Sequence, residues 1–162
     1  MRQSSLILKS LSDTKAAARV LSDHCLIQDI LIFSGGLGVG KSEFIRHLAQ
    51  NLGTTLDVRS PTYDLMRMYP ISQGQLLHCD VYRLRSEKEF LHLDVESYID
   101  ESIVAIEWGE SLVHLFDSYL MLSLSFQPTN PNSRQLSLEF VGESWLQRKF
   151  KLEDALSQSV GK

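Results

Sequence analysis

The segment Gly35-Gly36-Leu37-Gly38-Val39-Gly40-Lys41-Ser42 constrains this chain more than any other. It satisfies G-x-x-x-x-G-K-[ST] in full, and each fixed position has a physical reason. Glycines permit positive φ and let backbone N–H groups turn inward around phosphate oxygens. A helix that follows adds the positive end of its dipole. In such a loop the lysine, here Lys41, bridges the β- and γ-phosphates, and the Ser42 hydroxyl is a magnesium ligand. All eight residues are expected to contact the nucleotide, and ATP with Mg2+ is the expected cofactor pair.

The surrounding pattern supplies the context this loop requires. Ile30-Leu31-Ile32-Phe33 is a continuous apolar run, as in the centre of a sheet covered on both sides. Phe44, Ile45, Leu48 and Leu52 then fall at helical spacing, and Gly53 is a good stop. Leu6–Leu8 reads as a short first strand, and Ser12 as the N-cap of a helix carrying Ala16, Ala17, Val20 and Leu21. Thr62–Tyr69, Gln75–Asp80 and Ile103–Glu107 read as strands, with short helices at Glu87–Leu91 and Val95–Ile99. Tyr119–Phe126 and Gln135–Val141 alternate as a late antiparallel hairpin around Gln127–Ser133, and Ser144–Leu156 as a closing amphipathic helix. The expectation is one α/β domain over residues 1–162, a three-layer P-loop NTPase fold with helices on a mostly parallel sheet.

Phosphoryl chemistry also needs a second magnesium anchor and a group that positions the attacking oxygen. Two expected strands end in carboxylates, at Asp80 and Glu107. The C-terminal ends of strands form the edge where ligands of open α/β sheets bind. Asp80 is the candidate for magnesium, by direct or water-mediated contact, and Glu107 for orienting or deprotonating water. An exposed strand-end acid, or a partner for Arg83 or Arg85, is the plain alternative for either. Ser60-Pro61-Thr62-Tyr63 lies where a switch-like loop would sit, with the Thr62 hydroxyl sensing magnesium or γ-phosphate. An ordinary turn and strand start explains the same pattern.

Assembled in order, these segments resemble the TsaE family, ATPases of bacterial tRNA threonylcarbamoyladenosine synthesis. The resemblance rests on Gly35–Ser42, Ser60-Pro61-Thr62-Tyr63, His78-Cys79-Asp80-Val81-Tyr82-Arg83, Leu93–Ile99 and Ile106-Glu107-Trp108, and runs from about residue 5 to 141. It implies an ATPase, weak alone and stimulated by partners, that works with TsaD and TsaB. Those partners transfer threonylcarbamoyl to adenosine 37 of tRNAs reading codons that begin with A. The same resemblance places functional weight on Lys41, Ser42, Thr62, Asp80, Glu107 and Trp108, with Lys41, Thr62 and Glu107 catalytic, Ser42, Asp80 and Glu107 on the metal, and Trp108 at the nucleotide. Gly36 stands where the family commonly has Asp, Ser42 for Thr, Cys79 for Phe and Asp94 for Gly.

Charge and composition narrow the classes further. Sixteen Lys and Arg against 20 Asp and Glu give a net charge of −4, with no dense basic cluster. That balance leaves little to neutralise a nucleic-acid backbone, so direct tRNA binding by this chain alone is not expected. No stretch approaches the roughly 20 apolar residues of a membrane span. The apolar run near the start, Leu6–Leu8, is too short for a signal-peptide core, so a cytoplasmic protein is expected. Cys25 and Cys79 stand far apart, and the five histidines form no metal-binding pair. Two other readings of the loop stay open: a small metabolite kinase, which would need an arginine-bearing lid, and a nucleotide switch without useful turnover.

Overall fold

The computed structural model describes residues 3–162; Met1 and Arg2, at the start of the segment read for a signal peptide, lie outside the described residues. All strands belong to one seven-stranded sheet in the order β1-β7-β6-β2-β5-β4-β3. Its centre is parallel: β6 (Tyr119–Gln127), β2 (Ile30–Ser34), β5 (Ser102–Glu107) and β4 (Gly74–Asp80). Antiparallel partners finish both margins, β7 (Asn130–Val141) and β1 (Ser4–Leu8) on one side and β3 (Met66–Ile71) on the other.

Helices cover both faces, which is why β2 and β5 at the centre are near-continuous apolar runs rather than alternating. On one face α1 (Leu11–His24), α2 (Lys41–Leu52) and α4 (Glu143–Ser159) bury Ala17, Leu21, Phe44, Leu48, Trp145 and Leu152 against Leu31, Phe33, Ala105 and Leu120. On the other, α3 (Glu87–Leu91) and the 3-10 segments Val95–Glu101 and Gly109–Leu115 cover Ile30, Ile32, Leu77, Val104 and Ile106. The three expected layers are present.

Three boundaries differ from expectation. α1 begins two residues earlier, capped by Ser10 rather than Ser12: the Asp13 N–H donates to Ser10 Oγ at 3.4 Å and the Lys9 N–H donates to Asp13 Oδ2 at 2.7 Å, a reciprocal cap. β3 begins at Met66, because a turn closed by Leu65 N–H on the Pro61 carbonyl occupies the segment from Thr62. The late hairpin is tighter than expected, since β7 starts at Asn130 and pairs with Gln127. Pro131 is tolerated there because it lies on the exposed tip, beside a register irregularity at Phe126–Gln127.

Candidate nucleotide-binding site

β2 ends at Ser34 and the glycine loop turns directly into α2. Gly35 has φ 135°, and a Cβ there would stand 2.3 Å from the Leu124 carbonyl oxygen, so the loop passes β6 at a distance only glycine allows. Gly40, at φ 116°, caps α2 without any side-chain hydrogen bond. The first N–H groups of α2 therefore face the loop uncapped, an arrangement that suits anions.

Lys41 is 4% exposed. Its ammonium donates to the carbonyls of Gly35 at 2.6 Å and Gly36 at 3.0 Å, and lies 3.8 Å from the centroid of the Trp108 ring. Burial lowers its pKa below the ordinary lysine value, partly offset by the negative charges of Glu107, Glu110 and Asp80.

The two strand-end carboxylates are neighbours. β4 and β5 pair with Asp80 opposite Glu107, and both are buried. The Ser42 hydroxyl reaches both oxygens of Glu107, at 2.7 and 3.0 Å. Asp80 holds the other wall: its Oδ2 accepts from Ser60 Oγ at 3.1 Å and Thr62 Oγ1 at 3.2 Å, and its Oδ1 from the Tyr82 N–H at 3.0 Å. Loop residues Gly38 to Ser42, Thr62, Asp80, Glu107 and Trp108 line one cleft of about 310 Å³. The structure thus brings most of the candidate residues together, with Glu107 on Ser42 and Asp80 on the threonine loop; Gly35 and Gly36 do not line the cleft but hold Lys41 through their carbonyls.

A second cleft, of about 530 Å³, shares Val39 and Gly40 with the first and runs toward Thr14 and Arg134. Arg134 donates to the Val39 carbonyl at 2.8 Å and its guanidinium lies 4.5 Å from the Phe126 ring centroid. Sequence reasoning did not place Arg134 beside the loop, because only the hairpin's return brings it there.

A family model described as Threonylcarbamoyl adenosine biosynthesis protein TsaE matches residues 8–136. The chain belongs to the TsaE family. Among similar proteins, the tRNA threonylcarbamoyladenosine biosynthesis protein TsaE of Rickettsia felis is 31% identical, covering 82% of this chain and 78% of its own length. The proteins of the same name from Bacillus subtilis, at 31% identity over 82% of this chain and 83% of theirs, and from Streptomyces coelicolor, at 35% over 72% and 83%, stand alongside it. The crystal structure of YdiB from Bacillus subtilis superposes with a TM-score of 0.75 over 97% of this chain and 95% of its own, at 23% identity, and shows the same P-loop NTPase fold.

Two departures of this TsaE sequence have visible settings. Asp94, where Gly is common, has φ 53° and ψ 41°, a left-handed conformation that Asp tolerates better than most residues. Around Gly36, where Asp is common, a Cβ would point into space free of other described residues beyond its chain neighbours, so either residue fits.

The donor set fits a magnesium nucleotide. An uncapped helix start, a buried ammonium and a hydroxyl beside two carboxylates are what a polyphosphate and a hard cation require. Among the described residues no three His, Cys, Asp or Glu side chains are grouped to hold a metal by themselves.

Proposed function

We propose that this TsaE protein binds and hydrolyses ATP in support of threonylcarbamoylation of adenosine 37 in tRNAs reading codons that begin with A, through a TsaD–TsaB complex. The observation that carries the reading is the Ser42–Glu107 contact: the hydroxyl of the phosphate loop meets a buried carboxylate at a strand end. Bound ATP with magnesium would supply the activated phosphoanhydride and the charge neutralisation its cleavage needs.

The chain's own residues do the rest. Lys41 exchanges the Gly35 and Gly36 carbonyls for phosphate oxygens. Ser42, Glu107 and Asp80 are the residues that would hold magnesium. Glu107 also orients water and accepts its proton, while Thr62, tied to Asp80, reports the state of the site to the exposed Tyr63 beside it. The cleft at Val39, Thr14 and Arg134 takes the base and ribose. Net charge of −4 favours action on tRNA only through partners.

Hydrolysis by wild type and Glu107→Gln, with and without TsaD–TsaB, tests the reading. Orthophosphate release that rises with partners and falls by about 100-fold or more in Glu107→Gln is expected, the usual scale of positioned acid–base help. A phosphorylated small molecule as product would replace the reading with a kinase. Binding with no turnover in any mixture would leave a nucleotide switch.

A further inference from the structure

β4 turns two polar side chains toward the face covered by α2. Asp80 belongs to the cleft; His78, two residues earlier, does not line it. The imidazole is wholly buried, and its register partner on β5 is the small Ala105. Its Nε2 lies 2.8 Å from Glu107 Oε1. A carboxylate oxygen accepts, so the Nε2–H donates. Nδ1 has no hydrogen-bond partner among the described residues.

Leaving a buried ring nitrogen unpaired is unfavourable, and an apolar side chain would avoid the cost. What the imidazole gains is a hold on Glu107. Oε1 receives hydrogen bonds from His78 on β4 and from Ser42 on α2, whereas among the described residues Oε2 receives only the longer Ser42 contact. The two carboxylate oxygens are therefore not equivalent. One is anchored from two elements, and the other, on a residue that lines the cleft, is held by Ser42 alone among the described residues.

We propose that His78 is a positioning residue: by anchoring Glu107 Oε1 it presents Oε2 as the oxygen that orients water in hydrolysis. The proposal rests on the role given above to Glu107. It assigns His78 no contact with nucleotide, so ATP affinity should not depend on it.

The test compares wild type, His78→Gln, His78→Asn, Glu107→Gln and the double variant His78→Asn/Glu107→Gln by calorimetry with ATP and by single-turnover orthophosphate release with enzyme in excess. Glutamine places an amide N–H near the position of imidazole Nε2–H; asparagine is one methylene short of Glu107. Wild type and both His78 variants should bind ATP alike. His78→Asn should lower turnover about 10- to 100-fold, the scale seen when an outer partner of a site residue is removed. His78→Gln should recover most of it, and His78→Asn should add no loss in a Glu107→Gln background. Wild-type turnover in His78→Asn, equal losses in both His78 variants, or loss of ATP binding or folding in both would overturn the proposal and leave His78 a packing residue. Absent hydrolysis by wild type, or an undiminished rate in Glu107→Gln, would instead refute the role of Glu107.

Discussion

The Lys41 ammonium rests on the face of Trp108, 3.8 Å from the ring centroid, and Trp108 is held at φ 64° and ψ 26°. A left-handed backbone at a bulky residue costs about 1–3 kcal/mol and persists only where its surroundings impose it. The same ring packs on Tyr82, with centroids 4.8 Å apart. A phosphate that draws Lys41 away removes a cation from the indole, so ATP should change the intrinsic fluorescence. Trp108→Phe should abolish that change. Trp145→Phe should keep it, because Trp145 is on the buried face of α4 with the Arg148 guanidinium 3.9 Å from its ring and lines no part of the cleft. The reverse result would place the nucleotide elsewhere.

Asp80 and Thr62 separate by what each holds. Asp80→Asn weakens a carboxylate that would face magnesium and also fixes Ser60, Thr62 and Tyr82. A magnesium titration of hydrolysis should show its midpoint raised about 10-fold or more. Thr62→Val removes one hydroxyl contact, so the midpoint should stay while the maximal rate falls. Equal effects on midpoint and rate in both variants would show that the loop and the metal position are one unit.

Arg134 offers a test outside the glycine loop. Its guanidinium is fixed by the Val39 carbonyl and stacked on Phe126, beside the cleft assigned to base and ribose. Arg134→Ala should weaken ATP far more than inorganic triphosphate, which needs only the loop. Calorimetry with the two ligands distinguishes this from a general collapse of the loop, in which both would weaken together.

The core of this arrangement was legible because its signals are local. Ile30–Phe33, the glycines and the Phe44–Leu48 spacing specify strand, turn and helix from adjacent residues, and the structure has each in place. The strand ends at Asp80 and Glu107 were legible for the same reason. Their pairing was not, since which strands become neighbours depends on crossovers across the sheet. His78 was read only as part of the motif around Asp80, without a role of its own, for that cause: its partner is 29 positions away on another strand. Thr62 looked like a strand residue by propensity, but its hydroxyl bonds Asp80 and the backbone turns at Leu65, with φ 64°. Tertiary hydrogen bonds override propensity there.

Both thiols should be silent at neutral pH. Burial pushes Cys79 up to about 12 and raises Cys25 further, with Asp29 adding to it. An unfolded thiol ionises near 9.0. The folded state thus keeps protons that the unfolded state loses, and stability is complete below that value and declines as pH rises toward the folded pKa. Each thiol contributes a slope of about 1.4 kcal/mol per pH unit in that window. Native protein at pH 8 should resist alkylation at both positions, and Cys79→Ala should show a shallower alkaline fall in unfolding free energy than wild type. Rapid native alkylation of Cys79 would show that β4 opens locally.

At the end of the sheet opposite the nucleotide cleft, Arg148 grips Asp29. Its two terminal nitrogens donate to the two carboxylate oxygens at 2.7 Å each, and one also donates to the His24 carbonyl. The pair ties α4 to the start of β2 and the end of α1, and it is largely buried. Removing one partner of such a pair strands the other charge, at a cost of about 3–5 kcal/mol. Arg148→Met should lower stability by that order in denaturant titration. Asp29→Asn should do likewise, and the double variant should lose less than the sum of the two. ATP affinity should be unchanged in the folded fraction of each, because the loop is set by β2's other end and α2. A parallel loss of affinity would mean that α4 holds the nucleotide site in shape across the sheet.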